Sequence, residues 1–136
     1  MKQVYGWWLP DSEMHLPTCI KTMSGEYQID HRNLSLSYVD KFNVAIDIGA
    51  NVGLWAKDLC KRFKHVYLFE PLDVHIECLL KNLKDFDNFT LYQYALGNKE
   101  SFTHIKPVTE LSNSRVVDIQ DSYSHIYKIH TLQHLI

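Results

Sequence analysis

VAIDIGANVGLW, residues 44–55, carries three signals in one short stretch. With Phe42 and Asn43 before it, FNVAIDI (42–48) is a short apolar run, the pattern of a strand buried on both faces of a parallel sheet. Gly49 and Gly53 follow four residues apart, where a sharply turning chain gains from lacking a Cβ. Val52, Trp55, Leu59 and Phe63 then recur at helical spacing, so VGLWAKDLCKRF (52–63) reads as a helix.

Outward from this unit the alternation continues. HVYLFE (65–70) reads as a second strand. Asp73 can cap a helix running to Lys84, with Ile76, Leu79, Leu80 and Leu83 inward and Glu77–Lys81 as an i,i+4 pair. FTLYQYAL (89–96) is a third strand. Strand, helix, strand, helix, strand implies a parallel α/β sheet. Upstream, Tyr27, His31, Leu34 and Tyr38 suggest a helix between Glu26 and Lys41 that packs on the sheet. Residues 1–25 read as an irregular aromatic arm with Trp7 and Trp8, in which Pro17 interrupts any helix begun near Asp11. Beyond Gly97, SFTHIKPV, SRVVDI and HIYKIHTL suggest a β-rich extension.

Composition narrows the class. At 136 residues, 46% hydrophobic and 22% charged, the chain has the makeup of one globular domain. A net charge of −2 argues against a broad electrostatic grip on nucleic acid. No apolar run approaches a membrane span, and the first residues lack a signal-peptide core. Cys19, Cys60 and Cys78 are widely spaced and odd in number, so a reduced, cytoplasmic setting is expected.

In an open parallel sheet, ligands bind beyond the carboxyl ends of the strands, where GANVG lies. A plain tight turn would use the same glycines, so they do not assign a ligand alone. The turn is not the GxGxxG of a dinucleotide site, and no GxxxxGK[ST] is present. Asp47, ending the first strand, would repel a phosphate but suit an ammonium group, with the amides that open the next helix facing the ligand. Glu70 ends the second strand 17 residues after Gly53, where a carboxylate can accept both hydroxyls of a ribose. Asp47 for an amino-acid end and Glu70 for a ribose describe S-adenosylmethionine better than NAD.

IDIGANVGLW, LFEPL (68–72) and YALGN (94–98) resemble, in order and approximate spacing, the FkbM-type class I methyltransferases. The terminal HTLQHLI is similar to a segment of that family, and the GWWLPDSE arm resembles that of short, virus-encoded relatives. The resemblance covers about residues 26–136. It implies a Rossmann-like domain that uses S-adenosylmethionine to methylate oxygen on sugars or small metabolites. Asp47, Gly49, Ala50, Asn51 and Gly53 match the motif around the methionine end. Glu70 matches the ribose carboxylate, Pro71 and Leu72 the adenine edge, and Ala95 and Leu96 the stretch lining the adenine.

The family's fourth strand and acceptor-side half have no counterpart before Ile136, so the expectation is a truncated methyltransferase domain over 26–136. Without that strand, VAIDI becomes an apolar edge. A strand from the tail, another copy or a second chain is expected to cover it. The alternative function is a non-catalytic S-adenosylmethionine-binding or interaction module. No catalytic base stands out. Asn113 and Ser114 align loosely with a polar family loop, though a surface loop is the commoner use. His125, His130 and His134 read as scattered histidines rather than metal ligands.

Overall fold

The computed structural model describes residues 1–22, 25–106, 115–117 and 125–132. The chain opens with a hairpin, β1 (Lys2–Val4) and β2 (Trp7–Leu9), paired Lys2 to Leu9 and Val4 to Trp7. Its two-residue turn has Tyr5 at φ 50 and Gly6 at φ 81, the left-handed pair whose twist matches that of the flanking strands. Helix α1 (His15–Thr22) follows. Glu13 caps it, one carboxylate oxygen accepting the amides of His15 at 2.7 Å and Leu16 at 2.9 Å. Pro17 lies in the first turn, where a missing N–H has no intrahelical partner to lose. Residues 1–22 of the arm therefore carry regular structure, which corrects the irregular reading there.

Helix α2 (Ile29–Leu36) is shorter than the expected 26–41 and turns the other way. Leu34 and Tyr38 are exposed, while Arg32 and Leu36 are buried. The reason is electrostatic: the Arg32 guanidinium reaches Glu26 at 2.9 Å, Asp58 at 3.1 Å and the carbonyl of Tyr27 at 2.6 Å. A buried cation is tolerated when its donors are met in this way.

The central unit is β3 (Val44–Ile48), α3 (Ala56–Arg62), β4 (His65–Phe69), α4 (Asp73–Asn82) and β5 (Phe89–Tyr92). The three strands form a parallel sheet in the order β3-β4-β5, Val44 beside His65 and Val66 beside Phe89. The α/β architecture read from the sequence is what the chain forms. Leu59, Cys60 and Phe63 of the α3 segment meet Val66, Leu68, Leu79 and Leu83 in one core. Residues 52–55 are a turn rather than helix, although Val52 and Leu54 are buried. Asp73 is the first helical residue of α4 rather than its cap, and Leu80 faces out. Lys81 lies over the Trp8 ring, 4.3 Å from its centre, instead of pairing with Glu77.

The expected strand 89–96 breaks at Gln93–Tyr94. Its second piece, β6 (Ala95–Leu96), joins another sheet with β7 (Ser101–Lys106), β8 (Arg115–Val117) and β9 (His125–His130), in the order β6-β9-β7-β8. Phe69 stacks on Tyr92 at 5.0 Å, Tyr92 on Tyr94 at 5.8 Å, and Tyr94 meets His130 at 4.1 Å, so a run of rings joins the two sheets.

β3 is the edge of its sheet among the described residues, with Val44, Ile46 and Ile48 exposed at 53%, 40% and 62%. The described tail strands pair with β6 and with one another rather than with β3, so of the covers expected for this edge (tail, another copy or a second chain) the described tail supplies none. Among the described residues no helix is long and apolar enough to cross a membrane.

Candidate functional site

β3 runs into the turn 49–53, left-handed at Gly49 (φ 79), Asn51 (φ 50) and Gly53 (φ 87). Asparagine is one of the few residues that tolerate this conformation. Its side-chain oxygen here accepts the Val52 amide at 2.7 Å. A Cβ on Gly53 would lie 3.4 Å from Leu79 Cγ, so the missing side chain also lets the turn press on α4.

The turn's amides are spent internally. Gly49 and Ala50 donate to the Phe69 carbonyl at 2.8 and 3.0 Å, and Gly53 to Ala50 at 2.8 Å. Asn51 donates to Glu70 Oε2 at 2.9 Å. These amides hold the turn to β4 rather than forming a phosphate cradle; the expectation about the amides that open the next helix concerns residues further on.

Glu70 is buried at 4% exposure. Besides Asn51, its carboxylate accepts the Leu72 amide at 3.0 Å and lies 3.2 Å from His75 Nδ1. Each of its oxygens already has a protein partner, so a ribose would have to share them. Glu70 joins the ends of β3 and β4 and fixes Asn51 in its left-handed shape.

Asp47 has the opposite character. Its Oδ2 is sealed from solvent and has no hydrogen-bond partner among the described residues. Burial, reinforced by the Glu70 charge, pushes its carboxyl from an ordinary 3.8 up to about 6. It belongs to the wall of a cleft of about 320 Å³. Gly49, Ala50 and Asn51 share that wall, while His15, Tyr27 and Gln28 enter from the other side and Trp55 completes it. Gln28 is itself left-handed at φ 51, and its side-chain oxygen accepts the Trp55 indole N–H at 3.0 Å. A non-glycine residue held in that region costs of order 1 kcal/mol, and such strain gathers at functional sites. Among the described residues, two of the three left-handed non-glycine positions, Gln28 and Asn51, line this cleft. His15 Nε2 lies 3.3 Å from Cys19 Sγ, and burial raises the Tyr27 hydroxyl pKa, with Cys19 and Glu13 adding to it.

The structure thus brings Asp47, Gly49, Ala50 and Asn51 together at the cleft, with Gly53 and Glu70 supporting the turn from behind. Pro71 and the buried Leu72 do not line it, and Ala95 and Leu96 lie in β6 against β9. His15, Tyr27 and Gln28 were not foreseen: they come from segments whose docking has no short-range sequence signal. Asn113, Ser114 and His134 lie outside the described residues. His130 sits in β9 with Nδ1 3.2 Å from Glu100.

No protein-family model matches the chain, and the search of curated proteins returned no significant match. Solved structures with a similar arrangement include the precorrin 8w decarboxylase of Methanobacterium thermoautotrophicum, at 24% identity over 63% of this chain and 47% of that one, TM-score 0.45. Phosphoethanolamine N-methyltransferase 1 of Haemonchus contortus, solved with phosphoethanolamine and S-adenosylhomocysteine, is similar at 20% identity over 47% and 14%, TM-score 0.42. The precorrin-6y C5,15-methyltransferase of Geobacter metallireducens is similar at 23% identity over 47% and 37%, TM-score 0.41. The match spans less than half the length of each of these solved chains.

Proposed function

We propose that the cleft receives the amino-acid end of S-adenosylmethionine, and that the chain is all or part of an FkbM-type methyltransferase acting on oxygen of a sugar or small metabolite. The observation that carries this reading is Asp47, a residue of the cleft wall whose Oδ2 is shielded from water and has no hydrogen-bond partner among the described residues. An ionised carboxylate in that position is costly until a cation meets it, and the cofactor's ammonium group supplies one. The fit is therefore good at Asp47. It is incomplete at the ribose, because Glu70 is already engaged by Asn51, Leu72 and His75.

When bound, the cofactor supplies an electrophilic methyl group on a sulfonium centre. The chain's own part is binding and orientation: Asp47 pairs the ammonium, Gly49, Ala50 and Asn51 shape the floor, and Gln28 holds Trp55 as a fixed wall. Glu70 is a positioning residue acting through Asn51. Pro71, Leu72, Ala95 and Leu96 enter the reading only as the adenine side implied by the resemblance.

Isothermal titration with S-adenosylmethionine and S-adenosylhomocysteine tests this. Both are expected to bind, and Asp47→Asn to weaken each by about tenfold or more, the loss of a charge-assisted contact. Absence of binding at millimolar ligand would reject the site. Binding without methyl transfer across sugar acceptors would assign the chain the role of a binding module.

A further inference from the structure

A second cavity, of about 260 Å³, lies on the other side of Leu54 from the first. The strip 25–28 separates the two: Gly25 and Glu26 line the second, Tyr27 and Gln28 the first. Its remaining wall comes from the tip of the N-terminal hairpin, with Tyr5 and Trp7, and from α3, with Lys57, Asp58 and Lys61.

The charges here do not cancel evenly. Arg32 is buried and spends its guanidinium on Glu26 at 2.9 Å, Asp58 at 3.1 Å and the Tyr27 carbonyl at 2.6 Å. Asp58 is engaged a second time by Arg62, also at 3.1 Å. Both carboxylates of the cavity are thus committed to arginines. Lys57 and Lys61 make no ion pair with a described residue, and their i,i+4 spacing puts them on one face of α3. Lys57 is also held in place, its ammonium 4.8 Å from the centre of the Trp7 ring. That ring is itself fixed by its N–H, which donates to the Gly25 carbonyl at 3.2 Å. One ammonium is pre-positioned, another sits a turn away, and the left-handed Tyr5 leaves its ring 57% exposed on the rim.

We propose that this cavity binds a phosphate monoester whose scaffold also bears a planar ring, a ligand of mononucleotide type. The two ammonium groups would share the phosphate as point charges, and Tyr5 would supply a flat apolar surface for the ring. The net charge of −2 makes this local surplus of cations a feature of the cavity rather than of the whole surface.

Titration of the full chain with adenosine 5′-monophosphate, adenosine and inorganic phosphate, followed by calorimetry, tests the proposal. The monophosphate is expected to bind at least about tenfold more tightly than either part alone. A Lys57→Gln, Lys61→Gln double variant should lose about tenfold or more of that affinity while its melting temperature without ligand stays that of the parent. Tyr5→Ala should weaken the monophosphate but not inorganic phosphate. Saturating S-adenosylhomocysteine should leave monophosphate affinity unchanged, which separates this cavity from the first, whereas competition between the two would overturn the proposal. Absence of binding at millimolar monophosphate would overturn the proposal, as would an unchanged affinity in the double variant or equal affinity for adenosine.

Discussion

The Asn51 amide donates to Glu70 Oε2 across 2.9 Å, joining the glycine turn after one parallel strand to the carboxylate at the end of the next. The contact explains why a carboxylate can stand at 4% exposure without a salt-bridged lysine or arginine: backbone donors, which cannot ionise away, satisfy it. Glu70→Ala would strand the buried donors of Asn51 and Leu72. A loss of about 2–4 kcal/mol in urea unfolding is expected, with Glu70→Gln losing less because its amide oxygen still accepts. An unchanged midpoint in the alanine variant would show that the carboxylate does not hold the turn.

Asp47 makes stability depend on pH. Its pKa is raised from 3.8 to about 6, so across that window the folded chain keeps a proton that the unfolded chain has released. Stability from this group therefore falls as pH rises from about 4 to 6, and the cost, roughly 2–3 kcal/mol, persists above it. Asp47→Asn removes the charge. The variant should be more stable than the parent at pH 7.5, with the difference shrinking toward zero near pH 4 in parallel melts. Binding of a cationic ligand should follow the reverse course, weakening as the pH drops below about 6 and the carboxyl takes up its proton.

Asn82 fastens the arm to the body. Its side-chain nitrogen donates to the carbonyls of Trp8 at 2.9 Å and Val52 at 2.8 Å, and its oxygen accepts the Trp8 amide at 2.8 Å. Asn82→Leu keeps the volume but loses all three bonds. We expect about 2–4 kcal/mol of destabilisation and faster hydrogen exchange at Trp8. Exchange at Trp8 no faster than in the parent would mean that packing alone holds the hairpin.

Gly97 is closed to any side chain by β9. A Cβ built there would sit 2.7 Å from Ile129 Cγ2, a branched atom with little freedom to retreat. Gly97→Ala is predicted to lower the melting temperature, and Ile129→Ala in the same chain to recover part of that loss. Independent, additive effects of the two substitutions would contradict the clash.

The β3 edge should govern solution behaviour. Ile46→Lys places a charge on a residue already 40% exposed, so a stability change within about 0.5 kcal/mol is expected, together with less concentration-dependent light scattering. Scattering equal to that of the parent would show that this edge does not drive association.

How much of this was legible in the sequence varied with the range of the interactions involved. FNVAIDI, HVYLFE and FTLYQYAL read as strands because each apolar run and its boundary, Gly49, Pro71 and Gly97, lie within a few residues. Asp47 and Glu70 were found for the same reason, since strand ends place them beside the turn. The inward face of α2 was misread because periodicity counts Arg32 as polar, whereas Glu26 and Asp58 make it buriable. Nothing in LFEPL announces that the Asn51 amide will engage Glu70, so this structural task had no short-range sequence signal. The arm's structure was hidden for a related reason: its hairpin strands are three residues each, and they are held by Asn82, far along the chain.

That last separation has a kinetic consequence. Trp8 and Asn82 lie 74 positions apart, and all three of the side chain's bonds close the ends of long loops. The hairpin, made before α4, must therefore wait until α4 has been made and set on the sheet before it can lock. During refolding, pulse labelling should find the Trp8 amide protected no sooner than those of β4, and the cleft between α1 and the glycine turn complete only at that final step.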